Sequence, residues 1–172
     1  MPELPDVATF ARRYDRGAAG HRVTRTSVHD DRVLEGISAS TLARRLKGAR
    51  LGDSRRHGKY LFLPTDGDQT VVLHFGMTGN LVVVDADGDD PDHTRVVFEL
   101  DDERRLDVTS QRLLGDVSLT DDVDAFVAEH DLGPDAMDDD LDATAFAERV
   151  GGHDGMIKST LMDQSVVAGL GN

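Results

Sequence analysis

From Pro5 to Ala18, apolar residues recur at helical spacing. Val7, Phe10, Ala11, Tyr14 and Ala18 share one face, and Arg12, Arg13 and Arg16 lie on others. The spacing predicts an amphipathic helix. A second, shorter helix is predicted over Ser40–Leu46, capped by Ser38 or Ser40 and ended by Gly48. Elsewhere the period drops to two. Strands are predicted at Arg22–Val28, Arg50–Arg56, Tyr60–Leu63, Thr70–His74, Leu81–Val84, Thr94–Leu100, Arg104–Val108 and Val117–Leu119. Turns rich in Asp and Gly separate them, such as Asp66-Gly67-Asp68 and the stretch Asp85–Asp92. Many short strands with two helices predict an α+β class, with an N-terminal β-sandwich flanked by the helices. From about Asp121 the pattern turns helical again. Val123, Phe126, Val127 and His130 mark one helix, Ala143–Val150 and Gly155–Asp163 two more, and Leu132-Gly133-Pro134-Asp135 reads as a linker. The boundary between a strand-rich domain (1–125) and a helical portion (126–172) is placed near residue 125.

A length of 172 residues suits one large domain, or a domain with part of another. No stretch approaches the ~18 consecutive apolar residues of a membrane span, and no signal peptide opens the chain, so a cytoplasmic, nucleoid-associated location is expected. With no cysteine there is neither a disulfide framework nor a thiolate metal site. The Asp138–Asp140 run reads as a solvated face or cap. A net charge of −14 argues against a nucleic-acid partner, but its distribution changes the picture. Residues 1–60 hold 13 Lys and Arg against 7 Asp and Glu, whereas residues 61–172 hold 6 against 26. A chain that is acidic as a whole can therefore still present a local basic groove. Aspartate supplies 27 of the 33 acids and lysine only 3 of the 19 bases, a balance that resembles proteins adapted to high intracellular salt. At molar salt the Debye length is about 3 Å, short enough to screen acidic faces from DNA phosphates.

The chain opens Met1-Pro2-Glu3-Leu4-Pro5-Asp6. Removal of Met1 would expose a secondary amine beside a carboxylate. An α-amino group titrates near ~8, against ~10.4 for lysine, so part of it is an uncharged nucleophile at neutral pH. A secondary amine that attacks a sugar aldehyde must form an iminium, which is a built-in electron sink. Taken alone the hexapeptide is also an ordinary processing start, and Glu3 an ordinary helix N-terminal charge.

Three further segments bear on that choice. They are His57-Gly58-Lys59-Tyr60-Leu61, His74-Phe75-Gly76-Met77-Thr78-Gly79, and Leu161-Met162-Asp163-Gln164 followed by Val167-Ala168-Gly169-Leu170-Gly171-Asn172. With the N-terminus they resemble the bacterial formamidopyrimidine-DNA glycosylase (Fpg/Nei) family in order and approximate spacing, across the whole chain. The resemblance implies that Pro2 is the nucleophile at the sugar C1′, Glu3 the general acid/base, and Lys59 a contact to the active-site phosphate and sugar. It implies that Met77, at a loop tip between glycines, is an apolar wedge filling the space of a flipped nucleotide; a core methionine is the alternative. Lys158 and Asn172 would clamp phosphates, while His74 would touch a phosphate or simply pack. Pro-Glu-Leu-Pro and Gly-Met-Thr-Gly are similar to the formamidopyrimidine branch, which implies oxidised purines (8-oxoguanine and formamidopyrimidines) as substrates and a bifunctional glycosylase with β,δ-lyase activity on abasic sites.

One loop departs from the family pattern. The usual Asp-Pro-Arg-Arg-Phe-Gly reads here Ser110-Gln111-Arg112-Leu113-Leu114-Gly115. Arg112 keeps the arginine that reads the orphaned base, while Leu114 replaces the intercalating phenylalanine, which puts the opposite-base preference in doubt. In the family, Gly-Leu-Gly-Asn is the turn of a helix–two-turn–helix motif, followed by a further helix and a C-terminal zinc finger. The chain is therefore expected to be a fragment that ends inside that motif, with Zn2+ expected only in the complete protein and no metal or cofactor in residues 1–172. The expected partner is damaged double-stranded DNA, bound by a monomer, with no membrane. Two competing readings remain. One is a non-catalytic damaged-DNA-binding relative or inactive fragment, and the other is an unrelated amino-terminal-proline enzyme such as a tautomerase.

Overall fold

The computed structural model describes residues 2–172. The question of whether Met1 is removed concerns a residue outside this range. Helix α1 (Leu4–Gly17) starts where Asp6 accepts a hydrogen bond from the Glu3 N–H at 2.8 Å, and Pro5 fits the first turn because its missing N–H has no intrahelical partner there. Its face of Val7, Phe10 and Tyr14 is buried. Helix α2 (Ala39–Leu46) is capped by Ser38, whose hydroxyl accepts from Thr41 N–H at 3.3 Å, and it buries Leu42 and Leu46.

Eight strands follow the alternating segments: β1 (Val23–Val28), β2 (Arg55–His57), β3 (Tyr60–Pro64), β4 (Thr70–His74), β5 (Gly79–Asp85), β6 (Thr94–Leu100), β7 (Arg104–Ser110) and β8 (Asp116–Thr120). They form two antiparallel sheets, ordered β1-β6-β7-β5 and β2-β3-β4-β8. The main core lies between them and includes Val23, Leu61, Leu73, Leu81, Phe98 and Leu106. Helix α1 packs along edge strands β5 and β2, and α2 along edge strand β1, so both helices shield open edges. The expected α+β sandwich flanked by two helices is the observed architecture.

The predicted strand Arg50–Arg56 is not continuous. Arg50 and Leu51 make only single bridges, to Arg22 and Thr65. The Tyr14 hydroxyl then donates to Gly52 O at 2.8 Å, and the Asp15 carboxylate accepts from Ser54 N–H at 2.8 Å. Side chains of α1 thus take backbone groups that a continuous ladder would need, and pairing resumes only at Arg55. Burial pushes the Tyr14 phenol far above its ordinary range, in keeping with its role as a donor.

Beyond β8 come α3 (Val123–Glu129), α4 (Ala143–Gly151) and α5 (Ile157–Met162). Asp122 and Asp142 cap α3 and α4, each accepting from two backbone N–H groups. Phe126 of α3 packs edge-on against Phe62, at 5.6 Å between ring centroids, on the outer face of the β2-β3-β4-β8 sheet. Asp138 accepts from Asp140 N–H at 3.1 Å, so part of that acidic run is a turn. Among the described residues no helix is long and apolar enough to cross a membrane.

Candidate active site and nucleic-acid interface

Glu3 is the N-cap of α1, and Lys59 opens the β2–β3 hairpin one residue after Gly58. The fold brings them together: Lys59 Nζ lies 2.7 Å from Glu3 Oε2, with side chains only 12% and 26% exposed. The other carboxylate oxygen, Glu3 Oε1, is buried without a hydrogen-bond partner. Half-buried Pro2 is covalently joined to this residue. Gly171 closes the site from the other end of the chain. A Cβ there would meet Glu3 Oε2 and Lys59 Nζ, so a side chain at this position would push the ends of both out of their present places. Asn172 follows it, exposed at the same rim.

Lys59 is held by groups that sequence reasoning missed. Arg56 and Asp135 form a two-pronged ion pair at 2.5 and 2.8 Å. The same carboxylate accepts from the N–H groups of Gly58 at 2.6 Å and Met137 at 2.7 Å. Burial alone would raise the Asp135 pKa, but these donors outweigh it and hold the carboxyl below its usual range. His57 Nε2 meets Gly133 O at 2.8 Å, and Ala168 N–H donates to Pro134 O at 2.9 Å. Leu132–Asp135, expected to be a linker, is therefore part of a packed strap (132–137) between the lysine hairpin and the C-terminal turn. Gln164 braces that turn, donating to Leu170 O at 2.8 Å and accepting from Gly169 N–H at 2.9 Å. Arg56 and Asp135 stand 79 residues apart, and no local pattern links them. Among 27 aspartates, nothing in the local sequence singles out Asp135.

Met77, Arg112 and Leu114 gather at one end of the sandwich. Phe75 is buried edge-on against Phe10, at 4.7 Å between ring centroids, which fixes the base of the Gly76–Gly79 turn. Arg112 N–H donates to Thr78 Oγ1 at 3.0 Å, and the Gly76 backbone sits against the Leu114 carbonyl, where a side chain would collide. Leu113 adopts a positive φ of 53° and packs toward the core, which turns its neighbour outward. Met77 (41% exposed) and Leu114 (49% exposed) thus project apolar side chains from two tied loops, with Arg112 exposed between them in sequence.

His74 packs against Tyr60, at 4.8 Å between ring centroids, and its Nδ1 is 3.6 Å from Asp116 Oδ2. Burial, helped by the Lys59 charge and opposed by Asp116 and Glu35, lowers the His74 pKa and favours a neutral ring. Burial raises the Asp116 pKa. Lys158 stands exposed on the first turn of α5. Among the described residues, one grouping has donor atoms close enough for a cation: His21, Asp101 and Asp102. Ion pairs already close it, because His21 meets Asp101 at 3.1 Å and Arg104 is paired to Asp102. A zinc finger needs ligands of another kind, and the chain has no cysteine to supply them.

The fold is shared with known proteins. Residues 1–117 match the formamidopyrimidine-DNA glycosylase N-terminal domain. The formamidopyrimidine-DNA glycosylase of Herpetosiphon aurantiacus is 35% identical over 173 residues, covering 100% of this chain and 63% of the relative. That of Moorella thermoacetica is 34% identical over 174 residues, covering 100% and 64%. A solved structure of the Lactococcus lactis enzyme, non-covalently bound to DNA containing an AP site, superposes with a TM-score of 0.90 at 25% identity, over 99% of this chain and 66% of that one. The same enzyme with DNA containing FAPY-dG gives a TM-score of 0.90 at 26% identity, over 99% and 64%. The chain spans a little under two thirds of the length of these curated relatives.

Proposed function

Because the chain belongs to the formamidopyrimidine-DNA glycosylase family, we propose that it carries the catalytic half of a base-excision-repair enzyme. That enzyme removes oxidised purines, such as 8-oxoguanine and formamidopyrimidines, and then cleaves the strand at the abasic site. The observation that carries the proposal is the Glu3 carboxylate: one oxygen is on Lys59 at 2.7 Å, the other is buried and unpartnered, and Pro2 is the adjoining residue. In this scheme the Pro2 nitrogen attacks C1′ and the damaged base leaves with the glycosidic electron pair. The Glu3 carboxylate takes the proton that the attached amine sheds and delivers it to the sugar ring oxygen, and the ring opens to a C1′ iminium. Loss of a C2′ proton then expels the 3′ phosphate, and a second elimination expels the 5′ phosphate. Lys59 offsets charge on the reacting phosphate and sugar. Met77 and Leu114 fill the space of the extruded nucleotide, and Arg112 faces the orphaned base. Asn172 and Lys158 hold flanking phosphates.

Borohydride trapping on abasic-site DNA tests this scheme. A covalent adduct is expected with protein that starts at Pro2, and none when Met1 is retained, because the amine is then a peptide bond. Glu3→Gln is expected to abolish base excision while leaving binding to damaged duplex intact. Reversible binding without an adduct would favour the second reading, a non-catalytic damaged-DNA-binding relative or inactive fragment.

A further inference from the structure

Helix α1 presents three arginines that form no ion pair among the described residues. Arg12, Arg13 and Arg16 are exposed, and together with Arg104 of β7 they line an open cleft of about 500 Å³ over Val83 and Val84 of β5. Arg13 is fixed in place: it donates to Leu81 O at 2.7 Å and to Asn80 Oδ1 at 3.2 Å, and lies 5.9 Å from the Phe10 ring centre. Arg12 donates only to Thr9 Oγ1, at 2.9 Å. Arg16 has no hydrogen-bond or ion-pair partner among the described residues. The helix's own Asp15 is turned away to Ser54, Asp102 holds Arg104, and Asp85 is the one carboxylate lining the cleft. In a chain with 33 acidic residues against 19 basic ones, carboxylates are abundant, yet none is ion-paired to this row among the described residues. Neighbouring guanidinium groups repel one another, and a polyanion relieves that repulsion.

The place of the row in the fold says which polyanion. Arg13 clamps Asn80, which directly follows the Gly76–Gly79 turn that bears Met77. The helix that carries the row begins at Glu3. The arginines therefore lead away from the site along an element anchored in it. Arg12 and Arg16 are one helical turn apart, about 6 Å of rise. That spans roughly two phosphate steps of one DNA strand, at about 3.4 Å each along the axis. Guanidinium groups match phosphate oxygens with two parallel donors. We infer that this row binds the backbone phosphates of the duplex arm flanking the damaged nucleotide, as a sequence-independent contact outside the catalytic pocket. The identity of the polyanion as DNA rests on the glycosylase proposal.

The test is a set of DNA-binding titrations across potassium chloride, using undamaged duplex and duplex with an abasic-site analogue. They compare the chain, R12Q/R16Q, and the charge-matched control R44Q/R45Q on α2. Each phosphate contact contributes about −0.9 to the slope of log affinity against log salt. R12Q/R16Q is expected to flatten the slope by about 2 on both duplexes, weaken binding about 3- to 10-fold at 0.1 M salt, and leave the preference for damaged DNA unchanged. R44Q/R45Q is expected to keep the wild-type slope. An unchanged slope in R12Q/R16Q overturns the inference, as does an equal change in the control, which would indicate net charge alone. So does self-association of the wild type that R12Q/R16Q abolishes without altering the slope, since the face would then be a protein contact. If the chain binds no DNA at all, the inference falls together with the glycosylase proposal. Failure of borohydride trapping with the slope difference intact defeats the chemistry and leaves the arginine row standing.

Discussion

At the scale of single residues, the site depends on an atom that is missing. A side chain at Gly171 would meet the Glu3 carboxylate and the Lys59 ammonium. Gly171→Ala is therefore expected to lower adduct formation by at least about tenfold, because displacing a reacting group by an ångström costs on the order of 100-fold. Since Gly171 is exposed, thermal melting should move little. Equal trapping rates for the two proteins would count against the role given to this glycine. Asp107 makes a different case. Fully buried on β7, its oxygens accept no hydrogen bond, and the nearest cation is Arg105 Nε at 3.2 Å. Burial, with Asp90 adding to it, raises its pKa against the pull of Arg105 and His29. A raised carboxyl pKa means that the folded state takes up the proton more readily than the unfolded chain. The charged form therefore costs stability at neutral pH, and the cost disappears as pH falls through the raised value toward 3.8. Asp107→Asn keeps the shape, and Arg105 retains Asp90 at 2.8 Å. We expect the variant to melt about 2–4 °C higher at pH 7, the shift that roughly 1 kcal/mol produces at this size. The advantage should shrink on acidification, and a variant that melts lower at pH 7 would refute the assignment.

At the scale of elements, the strap 132–137 ties the lysine hairpin to the C-terminal turn. Asp135→Asn leaves Arg56 half-buried and unpaired, a loss of about 3 kcal/mol for a buried pair broken on one side. Both the melting temperature and the rate of borohydride trapping should fall, because the Gly58 turn loses its anchor on the Asp135 carboxylate. The pH dependence has the opposite sign to that of Asp107. A lowered carboxyl pKa contributes stability that is present above 3.8 and is lost as pH falls through the folded value. A variant with an unchanged melting temperature and normal trapping would show that the hairpin positions Lys59 unaided.

At the scale of the whole molecule, the net charge acts on every part of the fold at once. With a net charge of −14, self-repulsion opposes the compact state, and salt shortens its range from about 30 Å at 0.01 M to about 3 Å at 1 M. We expect the melting temperature to rise steadily with potassium chloride over that range. A flat or falling curve would mean that local ion pairs such as Arg56–Asp135 outweigh the general repulsion. DNA binding carries the opposing counterion effect, so stability and affinity should respond to salt in opposite directions.

Local patterns along the chain were enough for the elements and the chemical parts. Apolar spacing located α1 and α2, alternation located most strands of the sandwich, and the N-terminal, lysine, wedge and C-terminal segments supplied the resemblance. These were legible because each is a local pattern of a few residues. Where local pattern and tertiary contact competed, the contact won. The Arg50–Arg56 strand breaks because Tyr14 and Asp15, distant in sequence, take its backbone groups. Leu-Gly-Pro-Asp reads as a connector until Arg56 is placed beside it. Only the tertiary structure decided that Glu3 and Lys59 share a proton-bridging distance, that Gly171 lies over them, and that the Met77 and Arg112 loops are tied into one edge. Each joins residues remote along the chain, and a hydrogen bond or a van der Waals contact depends on separation in space, which no run of neighbouring residues encodes.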